Sequence, residues 1–74
     1  MERIPLILLK PNDIGVIKEI SGGRRARNRL YELGLNKGTK VKMVKNDIGP
    51  VILNISGHKL ALGKGLANKI LVER

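Results

Sequence analysis

Five side chains in one short segment have the charge and size to bind a partner. Four arginines precede the single tyrosine of the chain, and the candidate partner-binding residues are Arg24, Arg25, Arg27, Arg29 and Tyr31. The arginines favour an acidic partner surface, and tyrosine is a residue type enriched at interfaces. In a second interpretation the segment is a solvated helix face on which Glu32 pairs with Arg29 at spacing i, i+3. The sequence leaves both interpretations open.

Groups that could hold a metal or perform catalysis are few. The chain has no cysteine, one histidine and six acidic residues, which are scattered singly. Ferrous iron prefers several imidazole and carboxylate ligands, whereas His58 follows Gly57 in a predicted turn, where an exposed imidazole is expected. No spacing indicates a Ser-His-Asp arrangement, and Gly22-Gly23 lacks the rest of a phosphate-binding loop. We therefore expect no enzymatic activity, no cofactor and no metal site.

The net charge of +9 favours acidic partners, which include nucleic acid, anionic lipid headgroups and acidic protein surfaces. The basic residues extend from Arg3 to Arg74, so the charge also fits a solvated surface without one dedicated patch. Single-strand binders add aromatic stacking platforms to a basic groove, and this chain offers only Tyr31. A basic nucleic-acid-binding barrel is therefore the alternative function, and nucleic acid is the less favoured partner.

One segment has a helical pattern, and the predicted helix covers about residues 24–33. Ser21 is the expected N-cap, and Gly34 is the expected C′ residue in the left-handed conformation. One narrow apolar stripe is expected to face the core, formed by Ala26, Leu30 and Leu33. The helix is too short to be stable alone and must pack on a sheet.

The rest of the chain alternates in the manner of short strands. From Thr39 to Lys45, Val41 and Met43 are predicted to face the core, and Lys40 and Lys42 to face outward. Five to six short strands separated by turns predict a mainly β fold in one domain over residues 1–74. A small SH3-like antiparallel barrel with one short α-helix fits best, and an OB-fold barrel is second.

Several motifs together resemble those of the FeoA family of ferrous iron transport proteins. The first half carries Gly15-x-Ile17-x-x-Ile20, Gly22-Gly23 and Arg29-Leu30-x-Glu32-Leu33-Gly34-Leu35-x-x-Gly38. The second half carries Gly49-Pro50, the strand from Val51 to Ile55, Gly57, Leu60-Ala61-Leu62 and Ala67-x-x-Ile70-x-Val72. The resemblance covers nearly the whole chain and departs from the family pattern at Gly63 to Leu66, where the family usually has an arginine-rich turn.

This resemblance implies an SH3-like barrel and a cytoplasmic accessory role in ferrous iron uptake. The implied partner is the membrane transporter FeoB with its cytosolic G-protein region, and Fe(2+) is the cargo of that system. The same domain type occurs at the C-terminus of DtxR-type iron-dependent repressors, but this chain has no helix-turn-helix portion, which favours a stand-alone accessory protein. The longest apolar run, Ile4 to Leu9, is too short to span a membrane. We expect a cytoplasmic protein that is a monomer or a weak homodimer.

Overall fold

The computed structural model describes residues 2–74, which form six short strands and three short helical segments. The strands are β1 (Arg3–Pro5), β2 (Ile14–Ile20), β3 (Lys40–Lys45), β4 (Val51–Ile55), β5 (His58–Leu62) and β6 (Ile70–Glu73). The helical segments are a 3-10 turn (Leu6–Leu8), α1 (Arg24–Glu32) and α2 (Lys64–Ala67). The predicted helix over about residues 24–33 is confirmed, and α2 adds a single helical turn from Lys64 to Ala67.

All six strands belong to one antiparallel sheet in the order β1-β6-β2-β3-β4-β5. Consecutive hairpins join β3, β4 and β5, whereas β6 returns across the molecule to lie between β1 and β2. The pairing register shifts between Ile17 and Glu19 in β2, and again between Met43 and Lys45 in β3. Such bulges bend a strand and increase its twist, which curves the sheet around its buried face. The predicted mainly β class with an antiparallel, SH3-like arrangement is confirmed.

The buried face of the sheet encloses an aliphatic core without any aromatic side chain. The inward positions predicted for β3 are confirmed, because Val41 and Met43 are fully buried while Lys40 and Lys42 are exposed. The core consists of Leu6, Leu9, Ile17, Ile20, Leu30, Leu35, Val41, Met43, Val51, Leu53, Leu62, Ala67, Ile70 and Val72. Since α1 contributes only Leu30 from within its span, the sheet supplies most of the hydrophobic stabilisation.

The loop between β3 and β4 is fastened to the segment that precedes β2. The side-chain amide of Asn46 donates hydrogen bonds to the carbonyl oxygens of Ile7 at 2.7 Å and of Leu9 at 2.8 Å. Both bonds are partly buried, and they join parts of the chain that are 37 and 39 residues apart. One side chain therefore satisfies two backbone carbonyls that the 3-10 turn leaves without strand partners.

Candidate functional site

The arginine-rich helix α1 is fixed to the barrel mainly through its C-terminal turn. Leu30 is fully buried, and the chain then reverses at Gly34, which has a φ of +88°. The Gly34 amide donates to the Tyr31 carbonyl at 3.0 Å, and the Leu35 amide donates to the Leu30 carbonyl at 2.9 Å. These two bonds form a Schellman motif, in which the apolar residue after the glycine packs against the last helical turn. The prediction for Gly34 is confirmed.

The three residues of the predicted apolar stripe of α1 are buried to different extents. Leu30 is fully buried, but Ala26 and Leu33 are only partly buried. Leu33 nevertheless packs against the core, so the prediction of a core-facing stripe is confirmed for Leu30 and Leu33. Leu35, which follows the reversal at Gly34, is also part of the core. A helix anchored at one end leaves its remaining surface available to solvent.

The N-terminus of α1 differs from its prediction. Gly23, with φ −76° and ψ 176°, occupies the N-cap position, and no side chain caps the helix. Ser21 instead lies beside Lys69, the residue before β6. Its amide and its hydroxyl both donate to the Lys69 carbonyl, at 2.8 and 3.2 Å. The prediction of Ser21 as N-cap is wrong because Gly22, at φ +98°, turns the chain between the strand end and the helix.

All five predicted partner-binding residues lie on the exposed surface of α1, and the helix brings them together within nine residues. At about 100° per residue, Asn28 and Glu32 point most directly away from Leu30, and the five residues lie on the two flanks of the exposed surface. Arg24, Arg27 and Tyr31 lie on one flank, and Arg25 and Arg29 lie on the other. Tyr31 is 45% exposed, although it is the only aromatic residue of the chain. We call this surface, formed by Arg24, Arg25, Arg27, Arg29 and Tyr31, the helix face.

The charges of the helix face are poorly compensated. Arg29 pairs with Glu32 at 3.7 Å, as the i, i+3 spacing predicted, but both side chains are more than half exposed. Among the ion pairs of residues 2–74, none involves Arg24, Arg25 or Arg27. The first turn holds no acidic residue, so two arginines stand at the positive end of the helix dipole. This arrangement disfavours the isolated helix and would be relieved by an acidic partner.

A second basic surface lies on the outer side of the sheet, where sequence reasoning had not placed a site. It is a groove of about 480 Å³ lined by Ile14, Thr39, Lys40, Lys42, Asn54 and Ser56. Ile14 of β2 pairs with Lys42 of β3, and Lys42 pairs with Asn54 of β4, so these residues form one row across three strands. The alternation of β3 had indicated that both lysines face outward, but only the strand register reveals their neighbours.

In the described part of the chain, residues 2–74, potential metal ligands are dispersed. His58 is exposed at the first position of β5, as expected for a turn residue. Within residues 2–74, no group of three or more His, Cys, Asp or Glu side chains is arranged to hold a metal ion. No helix in the same range is both long and apolar enough to cross a membrane.

The sequence and the fold of this chain both match those of known proteins. Residues 4–74 match the model of the FeoA domain. The chain is 42% identical over 69 residues to the Fe(2+) transport protein A of Methanocaldococcus jannaschii, covering 93% of this chain and 84% of that protein. It is also 34% identical to a crystal structure of the iron uptake regulatory protein FeoA, with a TM-score of 0.92 and 97% of each chain covered.

A third similar protein is the FeoA of Stenotrophomonas maltophilia, a prokaryotic SH3 domain protein whose crystal structure is a complex with zinc. It is 25% identical to the present chain, with a TM-score of 0.80, and the comparison covers 95% of this chain and 89% of that one. The family match extends over nearly all described residues, and the sequence and fold agree on it. The chain belongs to the FeoA domain family.

Proposed function

We propose that this chain is a cytoplasmic accessory protein of ferrous iron uptake that binds the cytosolic region of a FeoB-type membrane transporter. The family match supports the iron-uptake part of this proposal, as do the relatives named for Fe(2+) transport and iron uptake regulation. Fe(2+) is the cargo of the transporter in this scheme, and the present chain regulates its movement through protein–protein contact.

The helix face carries the contact with the transporter. Its arginines are exposed and lack carboxylates in the first helical turn, so an acidic surface would offset their mutual repulsion. Tyr31 adds an exposed aromatic ring that could be buried without ordering a long side chain. The uncompensated charge of α1 is the single observation on which the location of the contact depends.

A capture experiment tests the helix face. The purified cytosolic region of the transporter is immobilised, and its affinity for the wild type is compared with that for a triple variant, Arg24→Glu, Arg25→Glu and Arg27→Glu. Arg29 is kept so that its pair with Glu32 survives, and glutamate in the first turn favours the helix dipole. The triple variant should therefore fold normally and bind at least about tenfold more weakly, as expected for several lost charge contacts.

A matched variant separates a specific contact from the general effect of charge. Lys10→Glu, Lys37→Glu and Lys45→Glu replace three exposed lysines outside the helix face and change the net charge by the same amount. This control should bind within about twofold of the wild type at a salt concentration that screens distant charges. Equal losses in both triple variants would remove the helix face from the interface.

Nucleic acid binding is the competing function, since the net charge of +9 suits phosphate contacts. The same chain is titrated with mixed RNA and DNA across a salt series. Binding by phosphate contacts alone should weaken steeply with salt and be negligible near physiological ionic strength. Micromolar affinity at that salt, combined with no capture by the transporter region, would replace the proposed function with this one.

A further inference from the structure

The groove on the outer face of β2, β3 and β4 has the features of a peptide-binding site. Its volume of about 480 Å³ lies in the range of sites that bind small ligands or a few residues of an extended chain. It is separate from the helix face, because none of its lining residues belongs to α1. Binding at the groove is therefore independent of the proposed contact at the helix face.

The groove is rich in hydrogen-bond donors and contains no carboxylate among its lining residues. Lys40 and Lys42 stand two residues apart on the outward side of β3, opposite the buried Val41 and Met43. The Oδ1 atom of Asn54 accepts the Gly57 amide at 3.1 Å, which leaves the Nδ2 group of Asn54 to donate to a ligand. The lining thus combines two ammonium groups with a side-chain amide donor.

Acidic residues near the groove are engaged with other basic residues. Glu73, whose strand neighbour is Val16, pairs with Arg3 at 3.7 Å and with Lys18 at 3.9 Å. Asp13, which precedes Ile14, pairs with Arg74 at 3.2 Å. Within residues 2–74, no ion pair uses either lysine of the groove. The positive charge of the groove is therefore not offset by any of these ion pairs.

We propose that this groove binds an extended acidic peptide segment of a partner protein, which presents carboxylates and an apolar side chain on the same face of the peptide. Carboxylates of the segment pair with Lys40 and Lys42, and an apolar side chain packs on Ile14, which is 49% exposed at one end of the row. A peptide carbonyl accepts from the Nδ2 group of Asn54 at the other end. An extended chain fits because its alternating side chains match residues that stand two apart along a strand.

Other anionic ligands fit the groove less well. A single-stranded nucleic acid gains much of its affinity from bases stacked on aromatic rings, and no aromatic residue lines the groove. A lipid surface is flat, whereas this site is concave and has its one large apolar side chain, Ile14, in the lining. Charge complementarity together with the mixed lining therefore selects an acidic peptide.

An NMR titration of the full chain tests this inference. The probe is an eight-residue peptide with blocked termini, in which glutamate and leucine occupy every second position and serine occupies the positions between them. It is added to ¹⁵N-labelled protein at about 150 mM salt, where distant charges are screened. Amide shifts should be confined to the groove, led by Thr39, Lys40, Lys42, Asn54 and Ser56. A peptide with glutamine in place of glutamate should bind at least about fivefold more weakly, because its contacts lack charge assistance.

Two protein variants make the test specific. The double variant Lys40→Gln and Lys42→Gln should lose at least about fivefold in affinity through two charge contacts. The control Lys10→Gln and Lys37→Gln, with the same loss of charge at exposed positions elsewhere, should stay within about twofold. Dispersed amide spectra of both variants establish that they are folded.

Three outcomes would overturn the inference. They are shifts spread over all basic surfaces, equal affinity losses in the two double variants, and no binding at millimolar peptide. An oligothymidine of eight nucleotides that bound the same residues more tightly than the peptide would also overturn it, in favour of a nucleic acid ligand. Because neither probe contains any part of the transporter, these results are independent of the capture experiment on the helix face.

Discussion

The helix face depends on one backbone reversal, and the substitution Gly34→Ala measures its energetic cost. Gly34 has a φ of +88°, and a Cβ placed there would have no heavy atom of residues 2–74 within 4 Å, apart from its chain neighbours. Any destabilisation must therefore come from the backbone conformation and not from a steric clash. A left-handed conformation costs an L-residue roughly 1–2 kcal/mol. The lower entropy of the unfolded alanine chain offsets about 0.4–1 kcal/mol of this cost.

The net expectation for Gly34→Ala is a loss of about 0.5–1 kcal/mol in the free energy of unfolding. In urea, where a small domain has an m-value near ~1 kcal/mol/M, the midpoint should fall by about 0.5–1 M. Thermal unfolding should show a decrease of about 2–8 °C in Tm for a domain of this size. Both are measured by circular dichroism at one protein concentration.

The matched control is Gly65→Ala, which makes the same chemical change inside α2. A Cβ at Gly65 also has open space around it, but the φ of this residue is not in the left-handed region. Alanine should therefore stabilise the protein by about 0.5–1 kcal/mol, because glycine inside a helix is costly. If both substitutions shifted the urea midpoint in the same direction by the same amount, the assignment of Gly34 as the conformational anchor of α1 would be refuted.

Three further predictions concern contacts elsewhere in the fold, all measured by urea unfolding. Gly15→Ala should destabilise the protein by about 1–3 kcal/mol through overpacking, because the new Cβ would lie 3.0 Å from Cβ and Cγ2 of Val72. An unchanged stability would mean that β6 can shift to accommodate the methyl group. Asn46→Ala should lower the free energy of unfolding by about 1–3 kcal/mol, because it removes the donor to two partly buried carbonyls. Asn46→Asp should destabilise more at pH 7 than in acid, because only a protonated carboxyl can donate a hydrogen bond to these carbonyls. Glu32→Gln should cost under about 0.5 kcal/mol, since the Arg29–Glu32 pair is more than half exposed, and a larger loss would indicate a stronger pair.

The features that sequence predicted well are those determined locally. Alternation along β3 places Val41 and Met43 in the core whatever the partner strands are, because side chains of a strand alternate between faces. Gly34 is predictable for a similar reason, since a glycine directly after the last apolar residue of a short helix allows the Schellman turn that satisfies the terminal carbonyls. The structure agrees with both predictions. The arginines of α1 are exposed for the same local reason, as they lie outside the apolar stripe.

The features that sequence missed depend on residues far apart in the chain. Serine is a residue type favoured at N-caps. The hydroxyl of Ser21 instead donates a hydrogen bond to the carbonyl oxygen of Lys69, 48 residues away. The groove likewise requires the register that aligns Ile14 with Lys42 and Lys42 with Asn54. Strand pairing across such separations is determined by the strand order of the whole sheet and by its bulges. Neither can be read from a local sequence pattern.

Basic residues are spread along the whole sequence, but the ion pairs of the fold neutralise only some of them. Four of the five ion pairs within residues 2–74 connect Glu2, Asp13 and Glu73 to basic groups near the paired strands β1, β6 and β2. The fifth is the exposed pair within α1. Three of the six acidic residues are thereby paired near the two chain ends. Within residues 2–74, the lysines of β3 and the first three arginines of α1 have no ion-pair partner. An even scatter of basic residues in the sequence therefore leaves uncompensated charge on the helix face and in the groove, the two surfaces for which we propose ligands.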